Sequence, residues 1–219
     1  MDDLILILFV CTAVPMALML FLLEKKSRIV AGFMLIGMFM CVFIGSINGF
    51  FLQLFNNEML YVTTTITPIT EEIIKALPVL FFAFVFTDKR ETLISISMAV
   101  GIGFAIMENM YIMTNGIDSS TVFLALIRGL GAGLMHGICT SAIGIGISFI
   151  HKKKKLFYTG TFALLSTAII YHAIYNCLVQ SKWEYAGFIL PIITYIPLII
   201  AVKKRKKKDT LAKQKAQAI

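Results

Sequence analysis

Charge is what this sequence has least of. Only 15% of its 219 residues are Asp, Glu, Lys or Arg, while 58% are hydrophobic, and the mean hydropathy is +0.87. Soluble domains carry about 25% charge and about 45–50% apolar residues, so this balance excludes a chain kept wholly in water. The stretches between apolar runs are too short for a soluble domain. There is no internal repeat, and no low-complexity segment apart from a lysine-rich end. The four cysteines, Cys11, Cys41, Cys139 and Cys177, lie inside apolar runs without CxxC spacing. That excludes a disulfide framework and a thiolate metal site, and all four read as small buried hydrophobes. HExxH is absent, so a zincin is unsupported. GxGD is absent and no Asp falls within an apolar run, which excludes an aspartyl intramembrane protease. No GxSxG with a matching His is present, and Gly45-Ser46-Ile47-Asn48-Gly49 does not fit that pattern.

What remains is seven apolar runs of 18 to 30 residues, each long enough for a membrane helix, which needs roughly 20. They are 4–23, 29–55, 67–86, 92–114, 121–150, 156–179 and 185–202. The acidic Met1-Asp2-Asp3 start and the length of the first run make it a retained helix in place of a signal peptide. The expected fold is all-α, a polytopic membrane bundle of about seven helices. Residues 1–202 are expected to form one transmembrane domain, with its site between 67 and 177, and residues 203–219 a basic cytoplasmic tail.

The net charge of +8 has an address. Lys25, Lys26, Arg28, Lys89, Arg90, Lys152 to Lys155 and the eight basic residues from Lys203 to Lys215 all fall on one side when connections are counted alternately. The opposite side holds Lys182, and Lys75 and Arg128 lie within runs. Basic loops stay in the cytoplasm, so the N-terminus is expected outside and the C-terminus inside. The run Lys203 to Lys208 then reads as an anchor on anionic lipid, not as a nucleic-acid patch.

Against this apolar background, ionisable groups at membrane depth are the informative residues. There are seven: Glu71, Glu72, Lys75, Glu108, Arg128, His136 and His172. The pairs Glu71 with Lys75, Phe104 with Glu108, and His172 with Asn176 sit at i,i+4, on one helical face each. Four successive helices thus turn polar faces toward something other than lipid, which leaves the bundle interior. Bland readings exist for single members. Thr67 reads as an N-cap with Pro68 as first helical residue, which puts the acids at a dipole end. Glu71–Lys75 reads as a structural pair, Arg128 as a counter-ion, and single histidines as interhelical hydrogen-bond donors. Three carboxylates and two histidines on four helices point instead to one site that activates water, moves protons or binds a divalent metal.

Glu71-Glu72-x-x-Lys75, Phe104-x-x-x-Glu108-Asn109, His136 and His172-x-x-x-Asn176, in this order, resemble the PrsW family of intramembrane proteases. That family groups with the CAAX prenyl endopeptidases and bacteriocin-processing membrane enzymes. The likeness covers about half the chain, from Thr67 to Cys177. Helices one and two depart from the usual family start, with Glu24-Lys25-Lys26-Ser27-Arg28 in place of an aromatic and acidic stretch. The resemblance implies catalytic roles for Glu71, Glu72, Glu108, His136, His172 and Asn176. It implies a multi-pass protein of the bacterial cell membrane that makes the first, extracytoplasmic cut in a single-pass, membrane-anchored anti-sigma factor and so switches on a stress response. Two mechanisms stay open. In one, a Glu activates water and the histidines, with Glu108, bind a divalent metal such as zinc. In the other, which is slightly preferred, no metal is used and the histidines steady the oxyanion with Asn176. An ion- or proton-coupled transporter would use the same groups as a relay, but no inverted repeat supports it. A non-catalytic immunity or scaffold protein of the same fold would tolerate loss of the acids.

Overall fold

The computed structural model describes residues 3–116, 121–197, 199 and 200. The lysine-rich tail from Lys203 lies outside the described residues. No strand occurs among them. The helices are α1 (Asp3–Leu20), α2 (Lys25–Leu54), α3 (Met59–Tyr61), α4 (Thr67–Val85), α5 (Arg90–Asn115), α6 (Val122–Ile147) and α7 (Lys154–Val179). Residues 184–197 are also helical and are labelled α8. Because α3 runs into α4, these make seven rods in the expected order, and the chain is an all-α membrane helix bundle. By length and composition, α2, α5, α6 and α7 can each cross a membrane unaided. α4 falls outside that set because it carries Glu71, Glu72 and Lys75.

α5 forms the spine, packed between α2 and α6, with α7 against the far side of α6. Glycines let these backbones touch. A Cβ at Gly37 would strike the Val100 carbonyl, one at Gly103 the Met34 carbonyl, and one at Gly101 the His136 carbonyl. Membrane helices lack a hydrophobic drive to associate, so such close approach supplies the packing energy. The outer surface carries exposed Phe81, Val122 and Phe162, as expected for a surface solvated by lipid tails.

The start of the third run departs from the sequence reading. Thr67 is no N-cap: the chain is already helical from Met59, through a π-turn over Val62–Ile66. Thr67 N–H donates to the Val62 carbonyl, five residues back. Pro68 has no N–H to offer the next carbonyl, that of Thr63. The orphaned Thr63 oxygen is met from α7, where Asn176 Nδ2 donates to it at 2.8 Å. A proline that looks like a helix start therefore sits inside a longer helix. Upstream, Asn56 and Asn57 take left-handed backbone (φ 54° and 62°) and turn α2 into α3. The cysteines also differ from expectation. Cys41 and Cys139 are buried, but Cys11 and Cys177 are on the outside of the bundle, since lipid accepts a thiol as readily as a core does.

Candidate active site

α4 supplies three charged groups on one face. Glu72 and Lys75 are fully buried and Glu71 is 3% exposed. The sequence suggests the i,i+4 pair, yet Lys75 Nζ lies 4.0 Å from Glu71 Oε2 and 2.6 Å from Glu72 Oε1. Glu72 is thus the ion-pair partner. The same Glu72 oxygen takes a second hydrogen bond from His172 Nδ1 at 2.9 Å. Those partners assign the His172 proton to Nδ1 and leave Nε2 as a lone pair, 3.8 Å from Glu71 Oε2.

α6 brings His136 into the same space. Gly101 makes this possible, because any side chain there would push α5 off the His136 backbone. α6 stays α-helical from Val122 to Ile147, so His136 arrives without a break, and Gly131 serves close contact with Phe188 of α8. His136 Nδ1 accepts from Lys75 Nζ at 2.8 Å, and its Nε2 donates to Glu108 Oε2 at 3.1 Å. The two imidazoles meet edge to face, with centroids 4.9 Å apart. Phe104, one turn before Glu108 on α5, carries Lys75 Nζ over its ring at 4.7 Å and packs on His136 at 5.0 Å. That cation–π contact gives a buried ammonium one more favourable face.

Glu108 is held from its other side. Arg128 Nη2 approaches its Oε2 at 3.9 Å, and Asn109 Oδ1 fixes Arg128 Nε at 3.1 Å. The Glu108 side chain keeps 24% of its surface exposed. Glu71 and Glu108 both line a cleft of 690 Å3 that opens between α2, the π-turn and α5.

The structure therefore gathers Glu71, Glu72, Glu108, His136 and His172, as the sequence reading expects, and adds Lys75 at their centre. Asn176 donates to the carbonyl of Thr63, a residue that lines the cleft, rather than to the cluster. Lys75 was readable in sequence only as a structural pair, because nothing in its spacing reveals the contact with His136 on a distant helix. The metal-donor set also differs from the Glu108, His136, His172 grouping. Glu71, His136 and His172 are the three whose ligand atoms lie within 4.8 Å of one another. Glu71 Oε2 is buried without a hydrogen-bond partner. One carboxylate and two imidazoles match the donor types of a catalytic zinc site, and these residues fit a divalent metal once His136 Nε2 gives up its proton and its contact with Glu108, its Nδ1 being held by Lys75.

A buried cluster of acids, histidines and a lysine inside a membrane bundle, with Glu71 and Glu108 reaching one cleft, is the kind of polar site that membrane enzymes carry. The family model for PrsW family intramembrane metalloproteases matches residues 25–202, so the chain belongs to that family and is a membrane peptidase. No curated protein and no solved structure matches it.

Proposed function

We propose that the chain makes an extracytoplasmic-side cut in a single-pass membrane protein of the bacterial envelope, of the kind that anchors a regulator such as an anti-sigma factor. The observation that supports this most is the convergence of Glu71, Glu108, His136 and His172, with the two glutamates lining one cleft and the two histidines buried behind them. Depth agrees with it. Glu108 precedes the end of α5 at Asn115 by seven residues and His172 precedes Val179 by seven, so each lies about 10 Å in from its helix end. Both ends are opposite the basic loops. Glu71 stands farther from its own helix start than the Thr67 reading suggests, because Met59–Ile66 extends the rod by about two turns outward.

The division of labour follows from the contacts. Glu71, His136 and His172 are the residues that would hold a divalent metal, and this triad, with the family's metalloprotease chemistry, reverses the metal-free preference drawn from sequence. When bound, such a cation supplies Lewis acidity toward the scissile carbonyl. Glu108, the acid most open to the cleft, takes the proton from the attacking water and returns it to the leaving amine. Arg128 and Asn109 aim it. Glu72 orients His172 through Nδ1, Lys75 balances the buried carboxylates, and Asn176 locks α7 to the π-turn. The one-domain boundary at residue 202 and the N-out, C-in orientation belong to the same proposal.

The test is co-expression with a tagged single-pass substrate, comparing the wild type with Glu71→Ala and His172→Ala. Cleavage by the wild type alone supports the reading. Equal cleavage by all three overturns it and favours a non-catalytic role.

A further inference from the structure

The α2 side of the cleft carries a feature that the catalytic groups leave unused. Cys41, Gly45, Asn48, Gly49 and Leu52 recur on one helical face and all line the cleft. These glycines do not serve helix packing as Gly37, Gly101 and Gly103 do. A Cβ on Gly49 would meet nothing within 4 Å, and one on Gly45 would meet only Ile5 Cδ1 at 3.9 Å. They present bare helix backbone to open space. Between them, the Asn48 amide oxygen accepts a hydrogen bond from Thr70 Oγ1 at 3.0 Å, which ties α2 to the turn carrying Glu71. Beside Asn48 stands Glu71, 3% exposed, with an Oε2 that has no hydrogen-bond partner. Asn48 lies six residues before the end of α2 and Glu108 seven before the end of α5, so strip and acid sit at one depth.

We infer that the strip from Gly45 to Gly49 is the docking wall for the scissile segment of the substrate. It selects a segment unwound from helix and made of small residues. This inference rests on the peptidase reading for the identity of its occupant. A helical peptide bond is shielded from attack, so the substrate must open locally. In an apolar phase each freed N–H or C=O costs several kcal/mol unless it finds a partner. Ser46 and Gln53, on the same wall, offer such partners. Glycine backbone lets an extended chain approach these groups closely, whereas a large substrate side chain turned toward the strip would wedge the two apart.

The test uses the full chain in lipid nanodiscs, with Glu108→Gln to stop turnover. The probe is a synthetic single-span peptide with an Ala-Gly-Ser-Gly segment at its outer end and a diazirine beside it. A matched peptide carries leucines in that segment. Photolabelling should map to residues 45–53 of α2 for the small-residue peptide. It should fall about tenfold or more for the leucine peptide, and likewise for the small-residue peptide when Gly49→Leu is added. Gly32→Leu, at another open position on α2, should leave labelling unchanged and so controls for folding. Labelling on α6 or α7, labelling indifferent to Gly49→Leu, or no labelling would each overturn the inference. A parallel arm asks whether the wild type cuts the same peptide. Cleavage without α2 labelling sinks the docking wall alone, whereas α2 labelling without cleavage sinks the peptidase reading alone.

Discussion

Replacing Lys75 with methionine should be among the most damaging single changes in this bundle, even though Lys75 stands outside the expected catalytic set. Its ammonium is fully buried and lies 2.6 Å from Glu72 Oε1, 2.8 Å from His136 Nδ1 and 4.0 Å from Glu71 Oε2. At an effective dielectric near 20, unit charges 2.6 Å apart attract by about 6 kcal/mol before desolvation is subtracted. Methionine keeps the bulk and strands two carboxylates in a site with no other cation so close. Breaking one partner of a buried pair costs about 3–5 kcal/mol. Glu72→Gln should cost a similar amount by stranding Lys75. The double variant removes both charges, so it should cost less than the two singles together by about 2–3 kcal/mol. Reversible unfolding in mixed micelles, followed by helical circular dichroism as the denaturing detergent is raised, measures all four proteins. If the costs add within about 0.5 kcal/mol, Lys75 and Glu72 are not coupled and the centre of the site is misassigned.

Reporter fusions after Arg90, after Lys155 and after Ile219 should all report cytoplasm, and one clear external signal among the three would undo the N-out, C-in topology. Alanine at Glu71, Glu72, Glu108, His136 or His172 should leave protein in the membrane while lowering cleavage by about two to four orders of magnitude, measured as product formed per enzyme. Near wild-type rates in all five would end the enzyme reading. Stripping the purified protein with a chelator should abolish cleavage, and zinc should restore it. Elemental analysis should find the bound metal lost in His136→Ala and His172→Ala, and a stripped enzyme that still cleaves would return the account to the metal-free mechanism.

The membrane character and the site were legible for the same physical reason. In an apolar background each buried charge must have a partner, so Glu71, Glu72, Glu108, His136 and His172 stood out from sequence. Periodicity could place residues on a face but could not say which helices meet. It therefore paired Lys75 with Glu71 when Glu72 is the nearer acid. Nor could spacing show that Asn176, offered by the resemblance as a partner for the oxyanion, donates to the carbonyl released by the π-turn and Pro68. Thr67-Pro68 imitates a helix start in sequence, and only the backbone of Val62–Ile66 reveals that the helix began earlier. Cys11 and Cys177 were misread because apolar surroundings in a membrane protein do not mean the interior.

If the cluster around Lys75 cuts peptide bonds, as proposed, it does so from the outer half of the membrane. Purified wild-type protein and its Glu108→Gln variant, each reconstituted in vesicles with a single-span substrate, test this directly when the new termini are read by mass spectrometry. The new terminus should fall in the substrate's span within about 10 Å of its external end, matching the depth of Glu108 and His172, and none should appear with Glu108→Gln. A terminus on the cytoplasmic side, or the same product from the variant, would contradict it.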